Sequence, residues 1–222
     1  MNLAVRALSK TYRPGTSAEV RALNELTLDV PAGSFTLLRG PSGSGKTTLL
    51  TLLGALDWPT SGQMLFDGRD LAACSDAERA RLRRRIGIVF QDFALIAGLP
   101  AWENVTYHLI PRGVPRSERR RQAAESLGAL GLGDRLNAHP AELSGGEQQR
   151  LAIARALVGR PEAVLADEPT SNLDDASAET VIALLRAAHA GGASVVVASH
   201  DTRMAQLATQ TIALVAGGVS IA

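Results

Sequence analysis

Cysteine is nearly missing from this sequence. Cys74 stands alone among 222 residues, so no intrachain disulfide can form, which suits a reducing compartment. Cys74 itself reads as a small, half-buried residue ahead of a helix. Aromatic side chains are scarce, at 4%, which argues against a platform that stacks unpaired bases. Charge of one sign is also missing: 23 Lys and Arg face 22 Asp and Glu, for a formal net charge of +1. That balance creates no overall attraction to nucleic acid or an anionic bilayer, and no nucleic-acid partner is expected. Nor does any stretch reach the roughly 18 uninterrupted apolar residues that a membrane helix needs. Residues 205–222 come nearest and are broken by Gln206, Thr209, Gln210 and Thr211, while Arg6, Lys10 and Arg13 interrupt any leader-like run at the start. A membrane role is therefore expected to run through a partner chain.

What is present is ordinary globular composition, 45% apolar and 20% charged. The length fits one large domain, or a core with a smaller lobe. Leu3, Val5 and Ala7 alternate, as do Leu26, Leu28 and Val30, with a turn at Pro14-Gly15 between them; both runs read as strands. Ser34–Arg39 and residues 63–66 read as further strands, the second followed by a turn at Asp67-Gly68. Ser75 and Glu78 have capping-box spacing for a helix reaching about Arg84. Ile86–Phe90, Ala163–Ala166, Val195–Ala198 and Ile212–Val215 are short apolar runs of buried-strand type. Helices are expected at about 175–189 and 202–208. Residues 101–160 read as mostly helical, with breaks at Pro111, Pro115, Gly131–Gly133 and Pro140. The pattern predicts an α/β fold: a mainly parallel sheet with helices on both faces, an antiparallel β edge and a helical lobe. Residues of about 1–92 and 160–222 would form the core and β lobe, and about 93–159 the helical lobe.

Gly40-Pro41-Ser42-Gly43-Ser44-Gly45-Lys46-Thr47 matches the phosphate-loop pattern between a strand and a helix, and Thr48 follows it. Glycines let such a backbone curl so that successive amides point at phosphate oxygens, and the helix adds its positive end. Lys46 would reach the β- and γ-phosphates, and the Thr47 hydroxyl would ligate magnesium. ATP and Mg2+ are the expected ligands. The apolar run ending in Asp167-Glu168 places acids at the carboxyl end of a buried strand, where open α/β sheets bind ligands. Asp167 would serve the metal shell. Glu168, on the opposite side of the pleat, would polarise the attacking water. His200, just past the strand Val195–Ala198, would stand on the same sheet edge, in reach of the γ-phosphate or the water.

Leu143-Ser-Gly-Gly-Glu-Gln-Gln-Arg150 opens a helix. Ser144 and Glu147 fit a capping box. Two glycines in a first helical turn are poor for stability, at about 1 kcal/mol each against alanine in a helix interior. They make sense where backbone must approach a ligand, so Ser144, Gly145, Gly146 and Glu147 also read as a second phosphate site. Two phosphate-facing surfaces on one chain suggest a sandwich of two copies.

The series of motifs 40–47, Gln91, 143–148, 167–168, Ser171–Asp174 and His200, in that order, resembles the nucleotide-binding subunit of ATP-binding cassette (ABC) transporters, from Leu3 to about Val215. The resemblance implies an ATPase working as a homodimer with a separate transmembrane permease, peripheral on the cytoplasmic face of the membrane. It implies that Tyr12 stacks on adenine and that Gln91 contacts magnesium and the water. It further implies that Ser144 and Gly146 bind the γ-phosphate held by the opposite subunit, and that Asp174 couples the two sites. Gly54–Asp57, Pro59–Gly62 and Glu103–Val105 resemble the branch of macrolide-export, lipoprotein-releasing and division-associated ATPases. Asp92-Phe93-Ala94 and Ser171 depart from the commoner residues there. A soluble relative acting on ribosomes or DNA is the alternative, against which stand the single cassette and the lack of a heptad arm.

Two features have two readings each. Arg79, Arg81 and Arg83–Arg85, with Arg116 and Arg119–Arg121, are either a solvated helix face or a contact for lipid head groups or an acidic partner loop. Phe93, Leu95, Ile96, Leu99 and Trp102 are either a groove for a partner's cytoplasmic helix or the packing of the helical lobe.

Overall fold

The computed structural model describes residues 1–171 and 173–220; Asn172, within the expected 171–174 motif, lies outside the described residues. The first strands are β1 (Leu3–Tyr12), β2 (Val20–Val30), β3 (Phe35–Arg39), β4 (Ser61–Phe66) and β5 (Arg69–Asp70). They are followed by β6 (Ile86–Val89), β7 (Ala163–Asp167), β8 (Ser194–Ala198), β9 (Gln210–Val215) and β10 (Gly218–Ser220). The helices are α1 (Lys46–Leu53), α2 (Asp76–Arg83), α3 (Ala101–Thr106), α4 (Arg116–Ala129), α5 (Gly145–Leu157), α6 (Asp175–Ala190) and α7 (Thr202–Ala205).

One sheet is antiparallel, in the order β2-β1-β4-β5. The other runs β10-β9-β3-β8-β7-β6, parallel throughout except for the β10–β9 hairpin. Alternation along its strands serves two cores. Leu38, Leu165 and Val196 join α1 and the antiparallel sheet in one cluster. Phe35, Leu37, Val164, Val195 and Val197 pack with α6 on the other face. A third cluster joins Trp102 and Val105 of α3, Leu127 of α4 and Leu151 of α5.

The alternation expected over Leu3, Val5 and Ala7 fails at its third residue. Between the pairs Val5↔Leu28 and Leu8↔Leu26, β1 carries an extra residue. Ala7 takes up the bulge with φ of +45°, is exposed, and leaves the inward position to the fully buried Leu8. The helix expected at 202–208 is present but ends at Ala205, because Thr209 is drawn onto the sheet. Its N–H donates to the Phe35 carbonyl at 2.8 Å, and its hydroxyl oxygen accepts from the Phe35 N–H at 2.9 Å. Helix α2 begins with the expected box: the Glu78 N–H donates to Ser75 Oγ at 3.3 Å, and the Ser75 N–H to Glu78 Oε2 at 2.8 Å. Within 101–160 the breaks at Pro111 and Pro140 are short 3-10 turns, Tyr107–Arg112 and Pro140–Glu142. Among the described residues no helix is long and apolar enough to cross a membrane.

Trp102 belongs to the interior. It is 2% exposed and packs in the third cluster, with Leu95 against it. The guanidiniums of Arg116, Arg119 and Arg120 surround its ring at 5.3, 5.8 and 5.4 Å. An indole with cations over it is stabilised by the ring's negative face, which accounts for part of the second arginine run. Arg121 pairs with Glu118, Arg85 with Asp67 and Glu162, and Arg79 with Asp76. Asn104 is fully buried because it ties the loop ahead of α3. Its amide donates to the carbonyls of Ile96 (3.0 Å) and Leu99 (2.7 Å) and accepts from the Ile96 N–H (2.8 Å).

Candidate functional site

Because β3, β6, β7 and β8 are parallel, their carboxyl ends share one edge of the sheet. The segments leaving them carry the phosphate loop, Gln91, Asp167-Glu168 and His200. They surround a cleft of 790 Å³ together with Tyr12, Val20, Ala22, Thr170, Ser171, Ser199 and Asp201. The chain thus brings Tyr12, Ser42–Thr48, Gln91, Asp167, Glu168 and His200 to one place. Gly40 and Pro41 form the start of the same loop.

The loop is shaped by packing as well as by its glycines. Gly45 has φ of +98°, and a Cβ there would lie 2.4 Å from the Ala22 carbonyl oxygen of β2. Gly45 caps α1 without a side-chain acceptor, so the first amides of that helix are left for an outside anion. Lys46 is 9% exposed, and its ammonium donates to the carbonyls of Gly40 (2.7 Å) and Pro41 (3.0 Å). Ser44 is 2% exposed, and its hydroxyl oxygen has no hydrogen-bond partner among the described residues. A buried, unsatisfied hydroxyl is costly unless a ligand completes it. Both observations fit a phosphate group.

At the floor of the cleft the Thr47 hydroxyl donates to Asp167 Oδ2 at 2.6 Å, and Asp167 is 5% exposed. Hydroxyl and carboxylate oxygens of this kind suit magnesium, which takes few protein ligands and completes its shell with phosphate and water. Glu168 does not sit on the opposite side of the pleat as the alternation predicted. The strand ends at Asp167, and Glu168 turns away with φ of +46°, its N–H donating to the Ala198 carbonyl at 2.9 Å. This left-handed step puts both acids in the cleft. Partial burial raises the Glu168 pKa, opposed by the His200 side chain and by the His200 backbone N–H. The His200 Nε2 lies 3.6 Å from Glu168 Oε1. Asp201, which the sequence reading passed over, accepts from the Thr170 hydroxyl at 3.2 Å and is bound by Arg203, joining the segments that follow β7 and β8. Its position directly after His200 was the only signal available.

Tyr12 is 38% exposed at the rim, with the Lys10 ammonium 4.9 Å from its ring centre. Ser144, Gly145, Gly146, Glu147 and Asp174 do not line the cleft. They stand at two helix starts. Ser144 Oγ accepts from the Glu147 N–H at 3.3 Å, and Glu147 Oε2 accepts from the Ser144 N–H at 2.8 Å. The capping box is therefore formed, and Ser144 stays exposed at the start of the helix. Asp174 caps α6, accepting from the Ser177 N–H at 2.8 Å. Two residues of α5 reach cleft segments of their own chain: Gln149 donates to the Pro169 carbonyl at 3.1 Å, and Arg155 to the loop after Gln91. No spacing rule finds these contacts, because their acceptors are backbone carbonyls.

A family model described as ABC transporter matches residues 23–171. The macrolide export ATP-binding/permease protein MacB of Brucella abortus (strain 2308) is 48% identical over 92% of this chain and 32% of its own length. The chain thus spans about a third of the length of its MacB relatives. An uncharacterized ABC transporter ATP-binding protein of Bacillus subtilis (strain 168), YvrO, is 43% identical over 95% of this chain and 92% of its own. Among solved structures, the ATP-binding cassette MJ0796, as a dimer in a post-hydrolysis state bound to ADP and Pi, superposes with a TM-score of 0.92. It is 39% identical and covers 99% of this chain and 97% of its own.

Proposed function

Since this chain belongs to the ABC transporter family, as one of its ATP-binding cassettes, we propose that it hydrolyses ATP as a homodimer and so drives a separate membrane subunit. One observation carries the reading. The phosphate cradle and Glu168 share a cleft, while the helix start at Ser144 stays outside it, exposed. Each chain then owns half of each of two reaction centres. The dimeric cassette MJ0796 supports the same pairing.

In this reading the loop Gly40–Thr48 receives the phosphates of ATP, with Lys46 exchanging its two carbonyl acceptors for β- and γ-phosphate oxygens. Tyr12 stacks on adenine. Thr47, Asp167 and Gln91 would hold Mg2+, whose charge offsets that on the phosphates when it is bound. Glu168 orients the attacking water and takes its proton, and its raised affinity for protons suits that task. His200 steadies Glu168 and the γ-phosphate. The partner's Ser144, Gly145, Gly146 and Glu147 close over the γ-phosphate, and Asp174 stands at the crossing between the two sites.

The membrane subunit needs a seat. A groove of 450 Å³ lies between Leu56, Ile88, Phe90, Tyr107 and Pro111, bordered by Arg83, Arg84 and Arg112. We assign it to a cytoplasmic segment of the permease, in place of the Phe93–Trp102 surface, which folds inward at Trp102. The Brucella relative, whose name joins macrolide export to ATP-binding and permease, supports an export role; in this reading the chain acts peripherally at the cytoplasmic face of the membrane.

Glu168→Gln tests the reading. The variant should bind ATP, lose turnover by about 10²-fold or more, and accumulate as an ATP-bound pair on size-exclusion chromatography. Hydrolysis at an unchanged rate would remove Glu168 from the role of base.

A further inference from the structure

Helix α5, which opens at Ser144, is tied near its other end to the loop that carries Gln91. Arg155 is 8% exposed. Its guanidinium donates to the Phe93 carbonyl at 2.7 Å and to the Ala94 carbonyl. Burial disfavours its charge, and the neighbouring Tyr107 and Asp92 favour it. A cation kept in such a place, with backbone carbonyls as its hydrogen-bond acceptors, is there for their geometry. The planar guanidinium fork can meet two carbonyls at once, where a lysine can offer only a point charge.

The turn it grips is strained. Phe93 and Ala94 have φ of +63° and +46°, and the Ala94 N–H donates to the Asp92 carbonyl at 2.7 Å. L-residues avoid this left-handed region, so two in succession persist only where their surroundings hold them. The turn begins directly after Gln91, which lines the nucleotide cleft. Ala94 and Arg155 also line the 450 Å³ groove. One clamp therefore touches the cleft-bearing loop, the groove and the helix whose start bears Ser144.

We infer that Arg155 is a positioning residue: it holds the 92–94 turn to α5, so that Gln91 takes its place in the cleft only as that helix directs. The inference rests on the reading of Gln91 as a contact for magnesium and water.

Steady-state hydrolysis of Mg·ATP and binding of a fluorescent ATP analogue, measured on the full chain, test it. Arg155→Met should lower kcat by about tenfold while KM and analogue affinity stay within about twofold, because the cradle is untouched. Arg155→Lys should lose about threefold, one carbonyl being served. The deciding measurement is the double variant. In a Gln91→Ala background either Arg155 substitution should cost less than about twofold more, since both act through one group. The same loss in both backgrounds overturns the inference, as does a rise in KM that matches the fall in kcat. If Gln91→Ala by itself leaves kcat unchanged, the assignment of Gln91 fails and takes the inference with it. Should Arg155→Met fail to fold by circular dichroism, Arg155→Lys completes the cycle, and its loss persisting without Gln91 is the overturning result.

Discussion

The two glycine-rich helix starts of this molecule look alike in sequence and differ in what surrounds them. At the first, a Cβ on Gly45 would strike the Ala22 carbonyl at 2.4 Å, and the flanking Ser44 and Lys46 are buried. At the second, a Cβ on Gly145 would meet nothing within 4 Å among the described residues, and Ser144 is exposed. The first loop needs glycine for its own fold. The second has no such need, and a residue costly to a helix is kept at an open surface. Such a start suits close approach from outside the chain. This contrast is the physical support for the proposed pairing.

The contrast can be broken at several points. The largest effect is expected for Gly45→Ala, which must move β2. Left-handed strain of about 1–3 kcal/mol adds to the clash, so both unfolding midpoint in urea and nucleotide affinity should fall sharply. An unchanged midpoint would show that the loop is free to adjust. Next comes complementation. Lys46→Ala and Ser144→Ala chains should each be nearly inactive, yet an equal mixture should regain about a quarter of the sites if subunits exchange freely. A mixture no more active than its components breaks the composite site.

Acid should separate the two regions as well. Glu168, raised by partial burial, must be ionised to act as a base. Turnover is therefore full above its pKa and falls about tenfold per pH unit below it. Glu147 is held low by the Ser144 N–H and hydroxyl and by Arg135, so the cap it forms is lost only as pH falls through that depressed value. ATP-driven pairing should thus outlast turnover as pH is lowered. A joint decline in both would contradict the assignment. The smallest effect is expected for Gly145→Ala. Stability should hold or rise by up to about 1 kcal/mol, while pairing of the Glu168→Gln chain weakens roughly three- to tenfold, which is up to about 1.4 kcal/mol.

Much of the cleft was legible because its chemistry is local. A phosphate loop needs consecutive residues between a strand and a helix, and capping boxes at Ser75 and Ser144 need only a spacing of three. Asp167 could be read from an apolar run that ends in acid. Glu168 could be named but not placed: alternation assumes that the strand continues, and the chain leaves it one residue earlier, by a left-handed step. Trp102 kept two readings open for a similar reason. An apolar stretch looks the same whether it faces a partner or its own lobe, and only the three arginines around the ring and the cluster beneath it decide. The bulge at Ala7 answers to the register of β2, which no reading of β1 alone contains.

By itself, then, the order of residues determined the phosphate loop, the acids, the strand and helix types and the presence of two separate glycine-rich helix starts, because each depends on neighbours within about one helical turn of chain. Tertiary structure alone decided which of these meet. Parallel strands brought residues 42–48, 91, 167–168 and 200 to one sheet edge, kept Ser144 out of it, and bound Arg155 to carbonyls that have no side chain to announce them. Those contacts span from 31 to more than 100 positions of sequence or end on backbone atoms common to every residue, so only the folded chain can specify them.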